Sequence, residues 1–189
     1  EQSYGFRPGR GCKDVLRRVE ELLKKGYPWV VDADIKSYFD SIPHDKLMEE
    51  VEEQIADGRI LEMIEGYLKQ WIMDGLKEWE AEKGTPQGAV ISPLLANIYL
   101  SKIDHEMARL GHEMVRYADD SVILCRNEEE AKRALEEMKG MLEVRGLTLH
   151  PDKTKIVDAT QEGGFDFLGY HFERGMRCPR KKSMNKFKE

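Results

Sequence analysis

Residues 114–126 (MVRYADDSVILCR) leave the chain few ways to fold. Two apolar arms flank Ala118, Asp119 and Asp120, a spacer so short that the chain must reverse there. The pattern predicts a β-hairpin with two adjacent carboxylates at its tip. Aspartate tolerates turn backbone angles, so Asp-Asp in a turn is most often only a turn. A second carboxylate signal lies upstream. Tyr27 to Ile35 (YPWVVDADI) is β-branched and bounded by Gly26-Tyr27-Pro28, which predicts a buried strand reaching Asp34. If strand and hairpin are neighbours in one sheet, Asp34, Asp119 and Asp120 meet. Like charges buried together are costly unless something neutralises them. Hard divalent cations do so economically, because Mg²⁺ takes a few carboxylates together with substrate phosphates. Two such ions clamp the attacking and leaving oxygens of an in-line phosphoryl displacement. A calcium loop at Asp32-x-Asp34 is excluded, since Ser37 stands at its glycine position and Pro43 at its bidentate Glu.

The remaining pattern alternates helix and strand. Leu47, Val51 and Ile55 predict a helix from about His44, and residues 60–73 continue helically. Asp74-Gly75 between Trp71-Ile72-Met73 and Leu76 to Trp79 predicts a hairpin. Ser92 as N-cap with Pro93 following opens a helix apolar on most faces (Leu94, Leu95, Ile98, Tyr99, Leu100, Ile103, Met107), hence buried. Residues 128–145 read as an amphipathic helix through Ala131, Leu135, Met138 and Leu142. Leu147 to Leu149, Ile156-Val157 and Phe165 to Phe172 read as strands. The class is α+β, a mostly antiparallel sheet backed by helices.

Composition narrows the function. A net charge of -6 speaks against a simple nucleic-acid coat, yet the charge is uneven. Residues 1–28 hold seven basic and four acidic side chains, and residues 174–189 hold seven and one, around an acidic middle. Solvated tails are one reading of such ends and a grip on a polyanion the other. Three distant cysteines, Cys12, Cys125 and Cys178, indicate neither a disulfide framework nor zinc. No apolar run approaches 18 residues, so no membrane-spanning helix is expected. The sequence has no G-x-x-x-x-G-K-S/T loop, no G-x-G-x-x-G, and no Ser/His/Asp or histidine metal spacing. It opens Glu-Gln-Ser without Met, as expected of a piece of something longer.

Six segments, in order, resemble reverse transcriptases, most closely those encoded by bacterial group II introns. Tyr4 to Arg10 (YGFRPGR) resembles a fingers motif, and Asp32 to His44 (DADIKSYFDSIPH) the first catalytic motif. Gly84 to Leu100 (GTPQGAVISPLLANIYL) is similar to the segment beneath the incoming nucleotide, and Arg116 to Leu124 (RYADDSVIL) to the Tyr-x-Asp-Asp hairpin. Gly146 to Val157 (GLTLHPDKTKIV) and Phe165 to Phe172 (FDFLGYHF) resemble the next two palm motifs, the second being the primer grip. A lone Tyr-x-Asp-Asp is weak, whereas six ordered motifs are specific.

The resemblance implies a right-hand polymerase palm with part of the fingers. Residues 1–28 would be partial fingers, 29–58 and 91–173 palm, 59–90 a fingers insertion, and 174–189 the start of the thumb. Asp34, Asp119 and Asp120 would be catalytic and would bind two Mg²⁺ ions, with Mn²⁺ as substitute and the Ile35 carbonyl assisting. Phe39, Gln87, Gly88 and Lys153 would contact the nucleotide. A ring at Phe39 would exclude a 2′-hydroxyl and so favour dNTPs. Ala89 stands where the family usually has Gly. For Lys153 a role at the leaving pyrophosphate and plain solvated surface both stay open. Arg7 and Arg10 would approach template or nucleotide phosphates, and Leu168 and Gly169 would support the primer terminus. Lys186 and Lys188 would belong to the thumb entry.

Implied partners are an RNA template, a DNA or RNA primer, dNTPs and group II intron RNA, with no membrane, in the bacterial cytoplasm. The isolated 189 residues are expected to bind metal weakly and extend primers poorly or not at all, because positioning supplies much of the rate. The alternatives are a maturase that binds intron RNA without polymerising, or a retron, diversity-generating or CRISPR-associated reverse transcriptase.

Overall fold

The computed structural model describes residues 2–69, 71–74, 77–80, 82–85 and 90–180. In chain order it runs α1 (Cys12–Lys24), β1 (Trp29–Asp34), α2 (Tyr38–Ser41), α3 (His44–Glu52), α4 (Gly58–Leu68), β2 (Trp71–Asp74) and β3 (Lys77–Glu80). It continues with α5 (Ser92–Arg109), β4 (Glu113–Tyr117), β5 (Asp120–Cys125), α6 (Glu128–Val144), β6 (Lys155–Asp158), β7 (Phe165–Phe167), β8 (Tyr170–Glu173) and β9 (Met176–Pro179).

The central sheet is antiparallel throughout, in the order β4-β5-β1-β6. Side chains alternate across a strand, and here both faces are covered. Val31, Ala33, Ile123 and Met114 pack with Leu47, Leu95, Tyr99, Met107, Met138 and Leu142 from α3, α5 and α6. Val30, Val115, Val122 and Leu124 pack on the opposite face with Val15, Leu16, Val19 and Leu22 of α1 and with Phe165, Phe167 and Phe172. Full burial of each such side chain contributes roughly 1.5–3 kcal/mol, so both layers hold the sheet in register. Beside it lie the β2-β3 ribbon and a small sheet β7-β8-β9.

Helix ends follow local chemistry. The Asp57 carboxylate caps α4 by accepting from the N–H of Arg59 and Ile60, and Asn127 caps α6 by accepting from Glu130 N–H. Gly146 (φ 75) closes α6 as Leu147 N–H bonds back to the carbonyl of Leu142, 2.9 Å away.

Several expectations change. Residues 12–24 form α1, a helix additional to the expected elements. The helix expected over 60–73 ends at Leu68, and 71–74 pairs with 77–80 as the expected hairpin. Ser92 is the first residue of α5 rather than its N-cap, a position that falls to Ile91; the Ser92 hydroxyl meets Tyr67 Oη at 3.2 Å. Leu94 is exposed, so α5 is buried on one side rather than most. Leu147 belongs to the closure of α6, so Leu147 to Leu149 is no strand and only Leu149 bridges, to Ile35. Phe165 to Phe172 is a hairpin, because Leu168 (φ 47) and Gly169 (φ 82) turn the chain.

Candidate active site

β1 and β5 are neighbours, and their register sets Asp34 opposite Asp120. Asp119 sits beside them in the turn joining β4 to β5, after Ala118 at φ 58. By strand parity Asp32, Asp34 and Asp120 share the face that carries Val30, Val122 and Leu124. That face ends in a cavity of about 230 Å³ lined by Asp32, Asp34, Asp120, Asp166, Leu168 and Gly169, among others. The β7-β8 hairpin, whose sequence resembles a primer grip, is therefore the wall facing the carboxylates. Arg180, whose backbone N–H donates to the Gly169 carbonyl at 2.9 Å, closes one side.

The charges in this cavity oppose one another. Burial, then Asp119 and Asp34, push the Asp120 carboxyl above the usual carboxylate range, against the pull of Lys153. Asp32 is pushed up to about 6, first by burial and then by Asp120, Asp34 and Asp166, with Lys155 working the other way. Lys153 Nζ lies 3.0 Å from Asp34 Oδ2, and Lys155 Nζ 3.9 Å from Asp32 Oδ2. An ammonium thus stands on Asp34 as a cation would. Hard oxygen donors, mutual repulsion and that stand-in charge fit a divalent ion. Among the described residues, no three His, Cys, Asp or Glu side chains are already arranged to hold one ion.

Asp32 carries a prediction of its own. Folding raises its pKa from 3.8 to about 6, so the fold favours the protonated form. The stability this group contributes is present in full below pH 3.8 and lost as the pH rises through 6. Asp32→Asn is therefore expected to stabilise the metal-free protein at pH 7 by on the order of 2 kcal/mol. Urea titrations in EDTA should show the gain fading as the pH is lowered towards 4. A loss of stability at pH 7 would contradict it.

The other predicted residues fall in three groups. Ile35 is buried at the end of β1; Lys36 N–H donates to Thr148 and His150 N–H to the Asp34 carbonyl, so the Ile35 carbonyl takes no part in that bridge. Phe39 is half-buried on α2, its ring edge-on to Tyr38. Its backbone carbonyl accepts from Thr85 N–H at 2.7 Å, which ties the Gly84-Thr85 segment to α2. Gln87, Gly88 and Ala89, with Lys186 and Lys188, lie outside the described residues. Arg7 and Arg10 are not among the cavity's lining. Both guanidiniums donate to the Ser3 carbonyl, at 3.2 and 3.0 Å, and Arg10 lies over the Tyr4 ring.

Sequence reasoning missed Asp32 as a cavity residue, although its two-residue spacing from Asp34 places both on one face. It also missed Asp166 and Arg180, which only the pairing of β7, β8 and β9 brings here.

The antiparallel sheet thus sets Asp34 of β1 opposite Asp120 of β5, with Asp119 in the adjoining hairpin turn. Residues 1–172 match the family model described as reverse transcriptase (RNA-dependent DNA polymerase), and the chain belongs to that family. It is 33% identical over 211 residues to Protein YkfC of Escherichia coli, covering 91% of this chain and 55% of that protein. It is 37% identical over 108 residues to the group II intron-encoded protein LtrA of Lactococcus lactis, covering 57% of this chain and 18% of LtrA. An uncharacterised 91 kDa protein in the cob intron of Schizosaccharomyces pombe is 42% identical over 108 residues, 57% of this chain and 13% of that protein. The chain thus spans only part of each relative's length. Telomerase from Candida albicans shares the fold at a TM-score of 0.74 and 16% identity, over 95% of this chain and 36% of that one. Among the described residues no helix is long and apolar enough to cross a membrane.

Proposed function

We propose that this chain is the palm, with part of the fingers, of an RNA-directed DNA polymerase encoded by a group II intron. The observation that carries the reading is the register of Asp34 against Asp120, with Asp119 in the adjoining turn and the Leu168-Gly169 turn across one cavity. Asp34, Asp119 and Asp120 would hold divalent ions, Mg²⁺ or Mn²⁺, whose Lewis acidity favours the primer alkoxide and offsets charge on the leaving group. The primer 3′-hydroxyl attacks the α-phosphate of a dNTP, forming one phosphodiester and releasing pyrophosphate. Leu168 and Gly169 seat the primer end, and Phe39 closes the space a 2′-hydroxyl would need. Lys153, already 3.0 Å from Asp34, is within reach of a phosphate bound there. Template and intron RNA would use the basic ends of the chain.

The test is single-nucleotide incorporation by the full-length protein on an RNA template with a DNA primer. Phe39→Val is expected to raise rNTP use relative to dNTP by about 10- to 100-fold, the scale of one pocket contact. An unchanged ratio removes Phe39 from the role. A wild-type protein that binds RNA and extends nothing would instead favour the maturase reading.

A further inference from the structure

Behind the turn that carries Asp119 lies a buried polar network that the cavity does not use. Arg116 is 3% exposed and Asp104 7%. The guanidinium meets Asp104 as a fork, Nε to Oδ1 at 2.7 Å and Nη2 to Oδ2 at 2.5 Å. Its Nη1 donates to Asn97 Oδ1 at 3.0 Å and to the carbonyl of Ala118 at 2.6 Å. Ala118 holds φ 58, a conformation that a residue with a Cβ keeps only when its surroundings over-determine it. Asn97 Nδ2 donates to the Gly5 carbonyl at 2.8 Å. Gly5 presses on the same turn: a Cβ there would collide with the Ala118 nitrogen and lie 3.1 Å from the Tyr117 carbonyl carbon. The backbone of Arg116 is itself pinned, its N–H on Gln2 and its carbonyl on the N–H of Tyr4, at 3.0 and 2.9 Å.

A buried ion pair is a poor device for stability alone, since apolar residues of similar volume often do as well. A planar fork with donors left over is a good device for direction. We propose that Arg116, held by Asp104 and Asn97, is a positioning residue that fixes the Ala118-Asp119 turn, with Gly5 as a backbone stop against the same turn, so that Asp119 joins Asp34 and Asp120 as a metal ligand. This rests on the polymerase reading for its chemistry, while its metal-binding consequence can be read without any turnover.

The test compares Arg116→Lys and Gly5→Ala with wild type in the full-length protein, using Mn²⁺ as probe. Lysine keeps the charge and loses the fork. Alanine at position 5 touches no charge, and Gly5 does not hold a left-handed φ that alanine would resist. Mn²⁺ affinity is followed by the paramagnetic resonance of free Mn²⁺, primer extension gives kcat and KM for dNTP, and thermal melting monitors the fold. Both variants are expected to weaken Mn²⁺ binding by about 10- to 100-fold, as loss of an outer support does, and to lower kcat with KM little changed. A lower melting temperature with Mn²⁺ affinity within about twofold of wild type would overturn the proposal, because the network would then only support the fold. A wild type that binds no Mn²⁺ would overturn it too. Should Arg116→Lys fail to fold, Gly5→Ala decides. Wild type that binds Mn²⁺ and extends no primer defeats the polymerase reading, and the Mn²⁺ comparison still settles the positioning role.

Discussion

Asp119→Asn is expected to lower RNA-templated primer extension by the full-length protein on the order of 10³-fold or more, with the fold retained. Asparagine keeps the size and the turn propensity of aspartate and removes the charge that would hold a cation. The loss should not come from instability. Asp119 is one of the charges that push the Asp120 carboxyl upward, so removing it relieves repulsion in the folded state. A raised carboxylate costs stability at neutral pH, because the protonated form is the one the fold prefers. Melting at pH 7 should therefore be unchanged or slightly higher while extension disappears. That opposition separates a functional carboxylate from a structural one. Extension retained within about tenfold would remove Asp119 from the chemistry.

The second large effect is on stability. Asp104→Leu leaves Arg116 charged and unpaired at a site 3% exposed. Breaking a buried pair from one side typically costs about 3–5 kcal/mol. For a chain of this size that corresponds to a fall in Tm of roughly 6–20 °C. Adding Arg116→Met should recover most of it, since an apolar pair removes both desolvated charges. Thermal and urea unfolding of the two variants measure the difference. A single variant that costs under about 1 kcal/mol would mean the pair is solvated, contrary to its burial.

The two halves of the site were legible to different degrees. The hairpin at 114–126 and the strand ending at Asp34 followed from apolar arms around short polar spacers. Their adjacency did not, because pairing between distant strands is set by packing on both faces rather than by either segment. α1 carried its signal in Val15, Leu16, Val19 and Leu22, all buried at helical spacing, yet it lay in a stretch read for charge. The turn at Leu168-Gly169 was half visible: glycine at a positive φ is common, and leucine there is not. Arg116 and Asp104 left a subtler trace: each stands on the buried face of its element, at strand spacing from Met114 in β4 and at helical spacing from Leu100 and Met107 in α5. A charge on a buried face is rare, so such a pair invites a search for contact.

The acidic middle of the chain takes on meaning in this light. Asp32, Asp34, Asp120 and Asp166 line one cavity, where Lys155, Lys153 and Arg180 meet Asp32, Asp34 and Asp166 and only partly offset the four. Such a cavity is poised for cations, and through them for phosphates.

The most direct measurement is anomalous scattering from crystals of the full-length protein grown with a primer–template duplex, a dNTP analogue and Mn²⁺. Two Mn²⁺ peaks are expected, ligated by Asp34 and Asp119, with Asp120 beside them and the primer end on the Leu168-Gly169 turn. Peaks confined to other carboxylates, or nucleic acid bound with none at this site, would contradict that expectation.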